Sequence, residues 1–122
     1  MKNPIIRLVM MLILFWLGTT FVSAQEKAEA DKAYSSEQYQ KAAILYGHLL
    51  RQKGPSASLY YDLGNCYYRL DNMSEAILNY ERASLLSPGD KDIRHNLHIA
   101  NSKLTDKLAS PDEMFFVTWV KN

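Results

Sequence analysis

The chain has 122 residues, 48% hydrophobic and 22% charged, with a formal charge of +1. That is room for one small domain and excludes a disordered or collagen-like chain. Four prolines and five glycines are too few for an all-β fold with many turns, and so even a charge balance gives no basic footprint for nucleic acid.

The first segment reads MKNPIIRLVMMLILFWLGTTFVSAQ. Lys2 and Arg7 come before an apolar run over about residues 8–17, and Val22, Ser23 and Ala24 put small residues where a signal peptidase reads. The pattern predicts a Sec-type signal peptide over residues 1–24, cleaved before Gln25. The other reading is an uncleaved anchor helix, because residues 8–24 approach the length that spans a bilayer. Removal of Lys2 and Arg7 turns the formal charge slightly negative, so a polyanion finds no complementary surface. No cysteine follows the apolar run, so a lipoprotein anchor is not expected. The single Cys66 can form no internal disulfide, and the fold must rest on packing.

Beyond Gln25 the hydrophobic periodicity is helical, and it repeats. Ala42 pairs with Ala76, Tyr46 with Tyr80 and Leu49 with Ala83, each 34 positions apart, the spacing of a helix-turn-helix array. In the second unit, residues 57–90, the chain carries Tyr60, Leu63, Gly64, Tyr67, Ala76, Tyr80, Ala83 and Pro88. An aromatic, Leu-Gly, Tyr, Ala, aromatic, Ala and Pro in that order resemble the tetratricopeptide repeat (TPR) pattern. A glycine inside a helix costs about 1 kcal/mol against alanine, so Gly64 needs a packing reason, namely close approach of the two helices. Tyr60, Leu63 and Tyr67 share one face and are expected to bury against the second helix. Asp71 and Asn72 stand at the turn between the helices, both tolerant of left-handed backbone. Pro88 and Gly89 end the second helix, and Asp90 suits the cap of the next.

The first unit, residues 25–56, departs from the pattern in its first helix. Glu26, Glu29, Ala30 and Ala33 stand where Tyr60, Leu63, Gly64 and Tyr67 stand in the second, as in a terminal repeat whose outer face meets water. Residues 91–109 predict one more helix, with Ile93, Leu97, Ala100, Leu104 and Leu108 on one stripe. Its polar remainder suits a helix that caps the array. The expected architecture is therefore all-α, a short solenoid of two helical hairpins and a capping helix. Residues 110–122 break at Ser110 and Pro111 and continue as an aromatic tail, MFFVTWV. That tail reads either as a short element packed on the cap or as the edge of a missing membrane-proximal segment.

Little in the chain suggests catalysis. His95 and His98 form an H-x-x-H without a third ligand nearby, so no metal is expected. Cys66 falls where a small core residue belongs, with nothing to lower its pKa. Asn72, Met73 and Ser74 match a glycosylation sequon, which matters only in a eukaryotic secretory pathway. No paired carboxylates, phosphate loop or nucleophile elbow is present, so neither catalytic residues nor cofactors are predicted.

The TPR resemblance implies a concave groove lined by the first helix of each repeat, which grips an extended peptide or a partner helix. Carried onto this sequence, that groove takes Lys27, Asp31 and Tyr34 from the first repeat and Tyr61, Asn65, Tyr68 and Arg69 from the second. The capping helix adds His95 and Ser102. The family's carboxylate clamp is not expected, because Asp31, Asp92 and Asn96 stand where asparagine and a basic pair belong. The run LGNCYYRLDNMSEAILNYERASLLSPGDKDIRHNL further resembles the TPR proteins of bacterial Bat aerotolerance operons, common in Bacteroidetes. That resemblance implies an exported, non-enzymatic scaffold at the periplasmic face of the inner membrane, with von Willebrand factor A-type membrane proteins as partners. A periplasmic TPR chaperone, an assembly factor for secretion or cell-wall machinery, or a regulatory subunit of an envelope enzyme are the alternative readings.

Overall fold

A computed structural model describes residues 3–109 and 119–121, leaving aside the side chains of residues 19–22. Its longer elements, in chain order, are α1 (Pro4–Ser35), α2 (Tyr39–Lys53), α3 (Ala57–Arg69), α4 (Met73–Leu86) and α5 (Lys91–Leu108). Each packs chiefly on the helix before and after it, which makes a short α-solenoid: hairpin α1–α2, hairpin α3–α4, and α5 as the cap. The expected aromatic tail falls outside the described residues except at its end, where Trp119 and Val120 are exposed on helical backbone.

Local chemistry sets the helix ends. Asn3 accepts from the Ile5 amide at 3.2 Å, with Pro4 opening α1, where its missing N–H costs nothing. Ser56 caps α3, Asn72 caps α4, and Asp90 caps α5 by accepting from the Asp92 and Ile93 amides at 2.9 and 3.2 Å. Both intra-hairpin turns use the same left-handed residue, Glu37 at φ 61° and Asp71 at φ 60°. The amide bonds repeat as well. Gln38 N to Ala33 O and Asn72 N to Tyr67 O are both 2.9 Å, while Glu37 N to Tyr34 O and Asp71 N to Tyr68 O are 3.0 and 3.1 Å. The period seen in the sequence is thus a period of backbone conformation.

The core runs along the stack in two clusters. One joins Ala30 and Ala33 of α1 to Ala42, Tyr46 and Leu49 of α2 and Leu59, Leu63 and Cys66 of α3. The other joins Met73, Ala76 and Tyr80 of α4 to Ala100 of α5, with Leu97 and Leu104 packed against it. Gly64 has the packing reason its helix position demands. A Cβ there would lie 2.6 Å from the Tyr80 ring, so the two helices meet over a bare backbone.

One expectation needs correction: the stripe of α5 does not run its full length. Ile93 and Ala100 are buried, but Leu108, at the end of α5 beside the turn that precedes α4, is 61% exposed. The first helix of the first repeat is the last third of α1, whose backbone is helical through residues 24 and 25. The apolar side chains of its opening turns, Ile5 through Leu17, are exposed, Trp16 by 77%. By length and composition α1 is apolar enough to cross a membrane.

Candidate functional site

The groove is built on two cross-hairpin hydrogen bonds of one design. The Tyr46 hydroxyl on α2 donates to Asp31 Oδ1 on α1 at 2.5 Å, and the Tyr80 hydroxyl on α4 donates to Asn65 Oδ1 on α3 at 2.6 Å. Donor and acceptor are 15 positions apart in each pair, and the pairs themselves are one repeat apart. Burial pushes both phenols up, so both stay protonated donors at any ordinary pH. Each lock fixes which face of the first helix of its hairpin is turned outward.

The two locks differ in surroundings. Around Asp31 the network is ionic: Lys27 lies 3.0 Å from Asp31 and 3.9 Å from Asp62. Partial burial works against the Asp31 charge, yet the Tyr46 and Lys27 hydrogen bonds hold its carboxyl below the usual value. Asp62 goes the other way, pushed up mainly by burial, with Lys27 opposing and Asp31 adding to it. Around Asn65 the network is neutral. The Asn96 amide of α5 donates to Asn65 Oδ1 at 3.2 Å and to the Tyr61 hydroxyl at 3.0 Å, tying the cap to the second hairpin. The Tyr61 ring packs 5.9 Å from that of Tyr80.

Beside this neutral network opens a cavity of about 260 Å³. Tyr34 of α1, Asn65, Tyr68 and Arg69 of α3, Tyr80 of α4, and Asn96 and Ile99 of α5 line it. Four of the five helices therefore contribute to it. Arg69 donates from Nε and Nη2 to the Tyr39 hydroxyl at 3.0 and 2.6 Å and lies 5.1 Å from the Tyr39 ring centroid. Tyr39 in turn meets Tyr34 edge-on at 5.2 Å. Lys103 Nζ of α5 sits 4.3 Å over the ring of Tyr68, one of the wall residues.

Four of the eight predicted groove residues, Tyr34, Asn65, Tyr68 and Arg69, line this one cavity. The others do not. Lys27 and Asp31 are bound to each other and to the Tyr46 lock, and Lys27 borders a separate hollow of about 190 Å³ beside Gly54. Tyr61 spends its hydroxyl on Asn96. His95 is exposed, one residue out of register with the cavity wall, which Asn96 and Ile99 form instead. Ser102, also expected there, turns its hydroxyl to the His98 carbonyl of its own helix.

Sequence reasoning missed Asn96, Ile99, Tyr80 and Lys103. The repeat alignment held one usable signal, since Asp31 and Asn65 recur together with Tyr46 and Tyr80 as polar partners. Cys66 is fully buried, and burial, with Asp62 adding to it, pushes its thiol up to about 12. Among the described residues no group of three or more His, Cys, Asp and Glu side chains is placed to hold a metal.

Residues 57–90 match the tetratricopeptide repeat family. That stretch is α3, the Asp71 turn and α4, the hairpin that carries the neutral lock and most of the cavity. The chain is also 28% identical over 71 residues to Tetratricopeptide repeat protein 16 of human, of the macaque Macaca fascicularis and of mouse. The aligned region is 58% of this chain but only 8% of the human and macaque proteins and 9% of the mouse protein. The chain thus spans less than a tenth of the curated relatives it matches. The fold is a short TPR-type solenoid of two hairpins and a cap, and helical arrays of this kind present a concave surface to other proteins.

Proposed function

We propose that the chain is a non-catalytic interaction scaffold that holds an extended peptide, or a helix of a partner protein, in the cavity between α1, α3 and α5. The observation that carries this reading is the wall itself. Two tyrosines from successive repeats, two side-chain amides and an arginine converge on about 260 Å³. Tyrosine and arginine supply contact area and directed hydrogen bonds at small entropic cost.

The exposed apolar start of α1 and the leader-like pattern of residues 1–24 support a place in a bacterial envelope, at the periplasmic face of the inner membrane. The Arg94-His95-Asn96-Leu97 stretch supports a Bat-type aerotolerance or stress complex with a von Willebrand factor A-type membrane protein as partner. The test is pull-down from detergent-solubilised envelope extract with the full chain as bait, against a Tyr68→Ala/Arg69→Ala double variant. Loss of a von Willebrand-type partner from the variant, with helicity by circular dichroism kept, supports the reading. Equal capture by both baits removes the cavity from it, and capture of secretins or cell-wall enzymes instead moves the chain to an assembly role.

A further inference from the structure

The charges along the groove are not evenly matched. At the end nearer the start of α3, one cation, Lys27, is shared between two carboxylates, Asp31 at 3.0 Å and Asp62 at 3.9 Å. At the opposite end stand Arg69 and Lys103, each held against an aromatic ring. Among the described residues neither makes an ion pair. Arg69 is hydrogen-bonded to a neutral phenol, and Glu37 acts on it only as a more distant charge. Asp71, whose charge Lys103 influences only from a distance, is bound by Lys107 at 2.8 Å.

Cation–aromatic contact fixes both charged groups in place without neutralising either. Both Arg69 hydrogen bonds to Tyr39 leave from Nε and Nη2, which leaves Nη1 to present further N–H donors in a fixed plane. Arg69 lines the cavity and Lys103 stands over the ring of Tyr68, a residue of its wall. Two cations without ion pairs, one on the wall and one on a wall residue, form a receptor for an anion. The cavity behind them is half polar, with the Asn65 and Asn96 amides beside two tyrosine rings. That mixture fits the backbone and side chains of an extended peptide rather than a lone ion.

We infer that the occupant of this cavity is an extended peptide segment carrying an Asp or Glu side chain that seats between Arg69 and Lys103. This rests on the peptide-binding reading above and assigns its specificity. The partly unmatched Asp62 carboxylate at the other end disfavours a second acidic residue there, so the peptide binds in one direction.

The experiment uses the full chain in detergent micelles and three fluorescein-labelled peptide pools of mixed sequence. The pools differ only in one fixed residue, Glu, Gln or Lys, and binding is read by fluorescence polarisation. The Glu pool is expected to bind about tenfold more tightly than the Gln pool, in line with one charge-assisted hydrogen-bond pair. The Lys pool is expected to be weakest, and the Glu preference to shrink with added salt. Lys103→Gln and Arg69→Gln should each abolish most of the preference, whereas Lys91→Gln, at the exposed opposite end of α5, should keep it. Lys103 is exposed on α5, so its variant reports on recognition even if Arg69→Gln loosens the Tyr39 contact. Equal binding of the Glu and Gln pools, or a preference that survives both substitutions, overturns this inference and leaves the groove reading standing. Failure of all three pools to bind overturns both.

Discussion

The two hairpins solve one packing problem with different chemistry. In the first, Tyr46 closes on an ionised, half-exposed Asp31 bridged to Lys27, and the small residue of α1 is Ala30. In the second, Tyr80 closes on neutral Asn65, backed by Asn96, and the small residue of α3 is Gly64, directly under the Tyr80 ring. Turn dihedrals, amide bonds and the spacing from hydroxyl to acceptor are shared. The repeat therefore preserves a geometry, a phenol reaching one side-chain oxygen across the hairpin, and leaves the charge of that oxygen free. Charge then follows position: the acidic acceptor sits at the solvent-facing start of the array, and the neutral one sits where the cap encloses it.

The sharpest way to break this comparison is to exchange the small residues. Gly64→Ala puts a methyl 2.6 Å from a ring that is itself pinned through its hydroxyl. It should destabilise by about 1–3 kcal/mol despite better helix propensity. Ala30→Gly, which loosens α1 and removes one buried methyl, should cost about 1–2 kcal/mol. Thermal melts followed at the helical circular dichroism band compare them directly. A Gly64→Ala variant as stable as the parent would mean that the Tyr80 ring shifts freely and the close approach constrains nothing.

The locks themselves separate by pH. Tyr46→Phe and Tyr80→Phe should each cost about 1 kcal/mol near neutrality. The carboxyl of Asp31 is held below its usual value. Its share of stability is therefore complete above the unfolded pKa, about 3.9, and is lost as pH falls through the lower folded value. The Tyr46→Phe penalty should accordingly shrink in urea titrations as the pH drops below about 4. The Tyr80→Phe penalty should stay level over the same range, since Asn65 does not titrate. Parallel profiles for the two variants would show that the Asp31 charge contributes nothing to its lock.

The smallest effect tests interchangeability. Asp31→Asn converts the first acceptor into the second and should change stability at neutral pH by less than about 0.5 kcal/mol, because an exposed ion pair is worth little. Asp31→Ala, which leaves the buried Tyr46 hydroxyl without a protein partner, should cost distinctly more. If the asparagine variant is as damaged as the alanine one, the ionic network with Lys27 and Asp62 matters more than the hydroxyl bond.

Much of this fold was legible because its determinants are local. Pro88 and Gly89, the Asp90 cap, and Asp71 at the turn each act within a few residues, so chain order alone displays them. Tyr34, Asn65, Tyr68 and Arg69 were legible as a surface because they lie on the outward faces of the first helices. What failed was register across helices. His95 and Asn96 differ by one step along α5, yet only Asn96 reaches Tyr61 and Asn65. Nothing in the periodicity of α5 states how far that helix is rotated against α4. The bond from the Tyr46 hydroxyl to Asp31 was hidden for a related reason, since chain order does not show which side chain crosses the hairpin to that carboxylate.

The sequence by itself determined an all-α array with a 34-residue period, because hydrophobic spacing, caps and turn residues are encoded along the chain. It also determined that Gly64 marks a close approach of helices. Only the tertiary structure decided which tyrosines became locks and which became cavity wall, and that Lys103 of the cap would stand over Tyr68 of the second repeat. It also decided that two cations would be left without carboxylates at one end of the groove. Those outcomes depend on the rotation and offset between packed helices, and these are set by the fit of side chains in three dimensions.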